Sequence, residues 1–503
     1  VCRAPRPLCA LCRHAAFSRV QLAMPLLAAR LTLLSSAFAT ALPLTSLRSL
    51  IVGGGPSGLL LAHRLLDAGG SVSLLEGRPD PRAPGYLEGR AYALGLGLRG
   101  RTAIRTVDED LWQAVAAKGF PSDRFTLHLG SRLKVDLRTP DDSKAEPSIL
   151  IYQSDLCAAL LDQMLRRHGE SGRLTTAFGA RVTSCDARAA SVTYLDEGGE
   201  ERTACADMVA GCDGVNSVVR RGIAAAAPAF RSTTTPLPGN LKVVRLDAMP
   251  SALNADAVSV VPGSPVSAFI EPTVSGACAL LTWRDAASDD PEGSTDLARV
   301  AEPEAAARLV AASLPLLAES LHVTAVGEQL VRQRPSTAAT VLCNSYHAGR
   351  AVLLGDAAHS TGGASGQGCN SALQDAAALV DYLLSEAAVA EGAAGEAVVR
   401  GALLRYSKGR VPEGRALLEL STGPGRAASP FRRALSALST AANTLLSRVG
   451  LGAPLLQTEL TTSLAPFAEI RRRRAGAFGP FPDAQDFERE IGEVARSATS
   501  PKD

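Results

Sequence analysis

The chain has 503 residues, of which 46% are hydrophobic and 20% charged, with a formal net charge of +2. Such a composition excludes a disordered chain and is long enough for two or three packed domains. The charge argues neither for nor against a nucleic-acid partner, but the sequence has no basic, aromatic-interleaved stripe and none is expected to bind.

The first 66 residues contain no Asp or Glu, while Arg3, Arg6, Arg13, Arg19, Arg30, Arg48 and Arg64 are all present. An acid-free, Arg- and Ser-bearing, Ala/Leu-rich start is the composition of an organelle transit peptide. A secretory-type reading starts instead at Met24, with Arg30 as the basic flank and a short apolar run from Leu31 to Ala39. A two-step plastid signal combines both, so residues 1–45 are expected to be a leader and the location a plastid. The alternative is an extension with no targeting role on a cytoplasmic protein. The uncharged run between Arg30 and Arg48 is shorter than the ~20 apolar residues of a membrane span, and no transmembrane anchor is expected. Cys9 and Cys12 form a C-x-x-C in this leader; the other cysteines are scattered, without disulfide-framework or zinc-ligand spacing, so no metal site is expected.

The folded part is expected to begin near Ser46. Leu50-Ile51-Val52 reads as a buried strand running into Gly53-Gly54-Gly55-Pro56-Ser57-Gly58, and Leu59, Leu60, Ala62, Leu65 and Leu66 follow at helical spacing up to Gly69-Gly70. Ser71 to Leu75 is a second strand, ending in Glu76. Strand, Gly-rich turn, helix, strand and terminal acid make a dinucleotide fingerprint. Gly53 allows the tight turn, Gly55 lets a pyrophosphate approach the backbone, and Gly58 lets helix and strand pack closely. The helix N-terminus offers free N–H groups to phosphate, and Glu76 is placed to accept from a ribose hydroxyl.

Gly95, Gly97 and Gly100 spell the same pattern but lack the following acid, with Arg101 and Arg105 in its place. They read as a strand-to-helix turn, so no second dinucleotide domain is predicted. Helices are expected over Thr106–Lys118 and Ser154–Arg167, a hairpin over Phe125–Val135, and strands around Arg181, Ser191 and Asp207–Ala210. From 229 to 331 the pattern turns to β-rich alternation with one helix near Ala305 to Ala318. Val352-Leu353-Leu354 restarts a core strand, and Ser371 to Leu384 is an amphipathic helix. The rest reads as helices, with Arg471 to Arg474 as a solvated helix end.

Two further motifs carry chemistry. Gly211-Cys212-Asp213-Gly214 continues as Val-Asn-Ser-Val-Val-Arg220. Leu354-Gly355-Asp356-Ala357-Ala358-His359 is followed by Gly366-Gln367-Gly368-Cys369-Asn370. Asp356, ending a buried strand, can anchor a sugar-like hydroxyl chain. The Gly366-Gln367-Gly368 turn opens a helix whose N-terminus stabilises negative charge beside it. His359 is expected to pack or hydrogen-bond near a cofactor, and Cys212 and Cys369 to be small buried side chains.

From about Leu50 to Leu420 these motifs, in this order, resemble the FAD-dependent aromatic-ring monooxygenases, and among them the kynurenine 3-monooxygenase-like branch. The resemblance implies an α/β fold: a discontinuous Rossmann-type FAD-binding domain (46–228 and 332–385), an inserted β-rich substrate domain (229–331) and C-terminal helices (386–503). It implies FAD held by Gly53, Gly55, Pro56, Ser57, Gly58 and Glu76 at the adenosine end. Arg99, Gln153 and Asp213 match further cofactor positions, Gly355 and Asp356 the ribityl-binding turn, and Gly366, Gln367, Gly368 and Asn370 the turn beside the flavin ring. NAD(P)H would visit as a transient co-substrate, with O2 and a small organic molecule, aromatic or isoprenoid, as the other substrates. The flavin carries the hard chemistry, so no catalytic side chain or metal is required.

The sequence also departs from that branch. The proline expected four residues after His359 is Gly363, followed by Ala364 and Ser365 where an aromatic pair stands in the branch. Arg90 matches an arginine that grips a substrate carboxylate, with a structural ion pair as its alternative. Thr422-Gly-Pro-Gly replaces a tyrosine-bearing segment, which predicts a substrate other than kynurenine. Two alternatives stand beside a monooxygenase: an FAD-dependent reductase or oxidase on the same fold, and a non-catalytic flavin-binding protein. A halogenase is disfavoured, since Trp112 and Trp283 are the only tryptophans.

Overall fold

The computed structural model describes residues 44–499 apart from 84–85, 87–91, 131–132, 141–145, 285–295, 364, 391–394 and 424–455. The expected leader, the C-x-x-C, Arg90 and Ala364 therefore lie outside the described residues.

The segment Arg48–Val52 is buried on both faces after its first residue, as a central parallel strand must be. It is flanked by Ser71–Glu76 on one side and Met208–Gly211 on the other, both parallel to it. Leu174–Phe178 extends the sheet beyond the former, and Ala351–Leu353 beyond the latter. The short strand His347–Ala348 closes that edge antiparallel. The register pairs Val52 with both Leu75 and Gly211, and Gly211 with Leu353. Four strands thus end level with one another. Gly53, Glu76, Cys212–Asp213 and Gly355–Asp356 emerge along one edge, where open parallel sheets bind ligands. Helices Pro56–Asp67, Gln153–His168 and Gly368–Val389 bury their apolar faces around this sheet.

A second six-stranded sheet runs in the order Asn240–Leu246, Gly276–Trp283, Val266–Thr273, Ala257–Val261, Arg124–His128, Lys134–Arg138. Its strands alternate. Val266, Ala268, Ile270, Ala277, Ala279 and Leu281 pack under Pro303–Ser313 and Thr324–Arg332, forming a separate core. The opposite face, bearing Val243 and Cys278, meets Ala93 and Tyr152 of a small antiparallel sheet made from Ala93–Leu96, Ser148–Tyr152 and Phe120–Ser122.

The 229–331 boundary fails to enclose this sheet. The hairpin 124–138, assigned from sequence to the nucleotide-binding half, supplies two of its strands, with Ala257–Val261 pairing parallel to Arg124–His128. Local alternation marks a hairpin but cannot say which distant strand receives it. The boundary at 385 also falls inside one continuous helix, Gly368–Val389. The arginine run corrects in a similar way. Arg471 is only 2% exposed, pairs with Glu419 and donates to the carbonyls of Phe478 and Gly479. Arg473 and Arg474 both meet Glu459. Arg471, Arg473 and Arg474 face acids on neighbouring helices, and within the run Arg472 and Arg473 alone are exposed. Among the described residues, no helix is long and apolar enough to cross a membrane.

Candidate functional site

The fingerprint turn is shaped by its glycines in different ways. Gly53 has φ +106°, and a Cβ there would strike the Cys212 carbonyl on the neighbouring strand. A Cβ on Gly58 would strike the Gly53 carbonyl, so the helix can lie against the turn only without a side chain. Gly55 is the reverse case: beyond its own chain neighbours, no atom lies within 4 Å of the Cβ it lacks. Gly55 is also the N-cap of Pro56–Asp67, and no side chain caps that helix. Its first N–H groups stay open, with Pro56 placed where a donor is not required.

Glu76 faces this turn. Its Oε2 accepts from the Gly54 N–H at 2.6 Å, while Oε1 accepts from the N–H and Nε of Arg78 at 2.8 and 2.9 Å. Burial opposes ionisation of Glu76, but the Arg78 hydrogen bonds and charge outweigh it and hold the carboxyl below its ordinary range. Arg78 was not singled out from the sequence; its signal is a cation two residues after the strand-ending acid.

At the other end of the edge, Gly355 turns with φ +58° and Asp356 follows. Asp356 is exposed yet ringed by protein, as a group on the floor of a crevice is, and that crowding pushes its carboxyl up. Tyr92, another residue the sequence reading passed over, is 41% exposed on the same crevice. Its hydroxyl is pushed up by burial and then by the charges of Asp356 and Cys369. The Tyr92 carbonyl accepts from the N–H of Gln153, which brings that helix start to the crevice wall. Gly366, at φ +66°, has open space where its Cβ would be. Gln367 is the uncapped N-cap of Gly368–Val389, with its Oε1 buried and unpartnered. Gly368 lies with Asp356 Oδ1 3.9 Å from its absent Cβ.

Three expected cofactor residues have other partners. Asn370 Oδ1 accepts from the N–H groups of Gly97 and Gly100, and its Nδ2 donates to the carbonyls of Gly95 and Gly366. A Cβ on Gly100 would collide with that oxygen, which explains the second GxGxxG as a docking turn for Asn370. Asp213 Oδ2 accepts from Val218 and Val219 N–H, capping Val218–Ala226, and leaves Oδ1 buried without a partner. Arg99 departs furthest. It is 2% exposed, donates to the carbonyls of Leu460 and Ala465, and stacks 4.0 Å over Phe467. A distant C-terminal segment occupies the guanidinium, which a local motif cannot reveal.

One buried node fixes the Gly355 turn. Asp375, wholly buried, accepts from the Gly355 N–H at 2.9 Å, His359 Nε2 at 2.6 Å and Arg410 Nε at 2.6 Å. Burial opposes its ionisation, but the charges of His359 and Arg410 and the hydrogen bonds bring its pKa down to about 2. His359 is 1% exposed and committed to Asp375, in keeping with a packed, hydrogen-bonded role.

Two uncapped helix N-termini, a cleared approach over Gly55 and Gly366, and unpartnered oxygens on Gln367 and Asp213 fit an extended anionic dinucleotide with a planar head. Fold and site therefore define a Rossmann-type dinucleotide-binding flavoprotein class. Residues 46–421 match the family model for the FAD binding domain, and the chain belongs to that family: it is an FAD-dependent oxidoreductase. It is 29% identical over 353 residues to kynurenine 3-monooxygenase of Stenotrophomonas maltophilia (strain K279a), covering 68% of this chain and 73% of that protein. The kynurenine 3-monooxygenase of Salinispora tropica is 29% identical over 389 residues, covering 75% of this chain and 79% of the relative. Among solved structures, 2-methyl-3-hydroxypyridine-5-carboxylic acid oxygenase superposes with a TM-score of 0.56 at 20% identity, covering 82% of this chain and 95% of that one. PqsL of Pseudomonas aeruginosa, described as a probable FAD-dependent monooxygenase, does so at 0.57 and 20%, covering 86% and 100%.

Two outcomes follow. Gly58→Ala is expected to destabilise the protein by roughly 1–3 kcal/mol, because the new methyl meets backbone that cannot yield; urea unfolding reads this, and an unchanged midpoint would contradict the close packing. Asp375 has a folded pKa below its unfolded value, so its contribution is complete above about pH 5 and is lost progressively as pH falls through 2 to about 1. The stability gap between wild type and Asp375→Asn should therefore narrow by about 2–3 kcal/mol over that interval; a gap independent of pH would show that Asp375 is not ionised in the folded state.

Proposed function

We propose that the chain is a monooxygenase that uses NAD(P)H and O2 to oxygenate a small organic substrate of aromatic or isoprenoid character. The observation that carries this reading is the meeting, at one sheet edge, of the fingerprint turn with the Gly355–Asp356 and Gly366–Gly368 turns, opposite a separate β-sheet wall. Relatives along two thirds or more of the chain are kynurenine 3-monooxygenases, which supports the same class. When bound, FAD supplies electron transfer and oxygen activation; the protein supplies position and a dry, polarised setting.

In this reading Gly53, Gly55, Pro56, Ser57 and Gly58 receive the pyrophosphate and Glu76 the adenosine ribose, with Arg78 holding the Glu76 carboxylate ionised. Gln153 and Asp213 flank the cofactor, and Asp356 takes the ribityl hydroxyls. The N-terminus of Gly368–Val389, reached through Gly366 and Gln367, stabilises negative charge on the ring. Asn370 acts by holding two turns together, and Arg99 by anchoring the C-terminal helices. Arg90 is retained as a substrate-carboxylate ligand.

A second reading, a reductase or oxidase on the same fold, has one observation in its favour. Gly363 sits at φ +84°, a conformation closed to proline, so the loop after His359 follows a path that the branch's proline would forbid.

Purified protein should show a flavin spectrum that survives desalting, and Gly55→Ala should weaken FAD binding by roughly tenfold or more, about 1.4 kcal/mol. Substrate-dependent NAD(P)H consumption matched by oxygen uptake supports the monooxygenase. Turnover that persists without oxygen would move the assignment to the reductase, and tight FAD with no turnover to a binding protein.

For location we infer a plastid, on the acid-free, arginine-bearing composition of residues 1–45. A fluorescent protein fused behind that segment should enter plastids in algal or plant cells, and a diffuse cytosolic signal would refute the assignment.

A further inference from the structure

The inner face of the six-stranded sheet carries a buried acid that takes no part in the flavin crevice. Arg245 pairs with Cys278 across one strand boundary, and Cys278 with Glu271 across the next. Cross-strand partners point to the same face. Cys278 Sγ accepts from the Ala93 N–H at 3.4 Å, and Cys278 clusters with Ala93, Tyr152 and Val243. This row therefore looks toward the half of the molecule that carries the flavin site, and Ala93 follows Tyr92 of the crevice directly.

Glu271 retains 6% of its surface and has no hydrogen bond or ion pair among the described residues. The cation in the row, Arg245, makes no ion pair with it; its guanidinium lies 4.0 Å over the Tyr152 ring. On the same face, Phe269 and Phe125 meet with ring centroids 6.0 Å apart, and Leu280 and Val243 continue an apolar wall. A lone polar group at the border of an apolar wall is the arrangement of a small-molecule subsite, where the wall holds a ring and the polar atom fixes its orientation. A purely structural role fits poorly, since an unpartnered buried carboxyl costs stability.

We propose that Glu271 is the specificity-determining residue of the substrate pocket, taking the hydrogen bond from a hydroxyl or amino group carried on an aromatic ring seated against Phe269. Burial alone pushes the Glu271 carboxyl up to about 7, so near neutral pH it can accept from such a group in either protonation state. The proposal rests on the small-molecule reading above, but its test needs no turnover.

Equilibrium dialysis of the FAD-loaded protein against 4-hydroxyacetophenone, 4-aminoacetophenone and 4-methylacetophenone reads it directly. Wild type should bind the hydroxy or the amino ring at least about tenfold tighter than the methyl ring, and which of the two is preferred identifies the donor. Glu271→Leu should abolish that preference while keeping the flavin spectrum and melting at or above the wild-type temperature. Glu271→Gln, which still accepts a hydrogen bond, should keep part of the preference. A wild type that binds no donor ring better than the methyl ring would overturn the proposal, as would a preference that survives in Glu271→Leu. Failure of the monooxygenase reading is seen separately, as NAD(P)H oxidation uncoupled from oxygen uptake.

Discussion

The Asp375 carboxylate is the constraint on which the rest of the site depends. A buried anion is tolerable only when its oxygens are met by donors, and here acceptor and donors together bring in three separate pieces of chain. Gly355 and His359 belong to the turn after the last core strand, Asp375 to the long helix that follows, and Arg410 to Glu396–Thr422. Removing one partner leaves the others uncompensated in a dry interior, so turn, helix and outer helix are held as a unit. The open N–H groups at Gly368 can then face Asp356 without a local cap, because the helix they begin is fixed from inside.

Other parts of the crevice follow the same logic of distant groups sharing one polar side chain. Asn370 ties the Gly366 turn to the turn of Gly95–Gly100 through four hydrogen bonds. Arg78 and Glu76 settle each other's charge beside Gly54. The glycines divide into those where a Cβ would strike backbone, Gly53 and Gly58, and those where open space stands in its place, Gly55 and Gly366.

Much of the nucleotide-binding edge was legible in the sequence because its determinants are local. The fingerprint turn, the Glu76 strand end, the Gly355 turn and the helix after Gln367 each announce themselves within a few residues. Where the reading fell short, the determinant was far away in the chain. Arg99 is claimed by Leu460, Ala465 and Phe467, Arg471 by Glu419, and the hairpin 124–138 by a strand from the middle of the chain. Glu271 shows the same limit from another side: a glutamate in an alternating strand reads as solvent-facing unless a second domain is known to cover it. Residues 87–91, which include Arg90, fall outside what the structure describes.

The parallel pairing of Arg124–His128 with Ala257–Val261 bears on how the protein is made. During synthesis the early hairpin leaves the ribosome long before its partner strand exists, and the same is true of Arg48–Val52, whose sheet is completed only by Ala351–Leu353. Both sheets thus wait on late segments with exposed edges, and neither half can finish as an independent N-terminal unit. Contacts of such sequence separation slow folding and lengthen the exposure of unpaired strands. Nascent chains are therefore the vulnerable species, and truncation before Arg410 would leave the Gly355 turn tied to an anion that lacks its arginine.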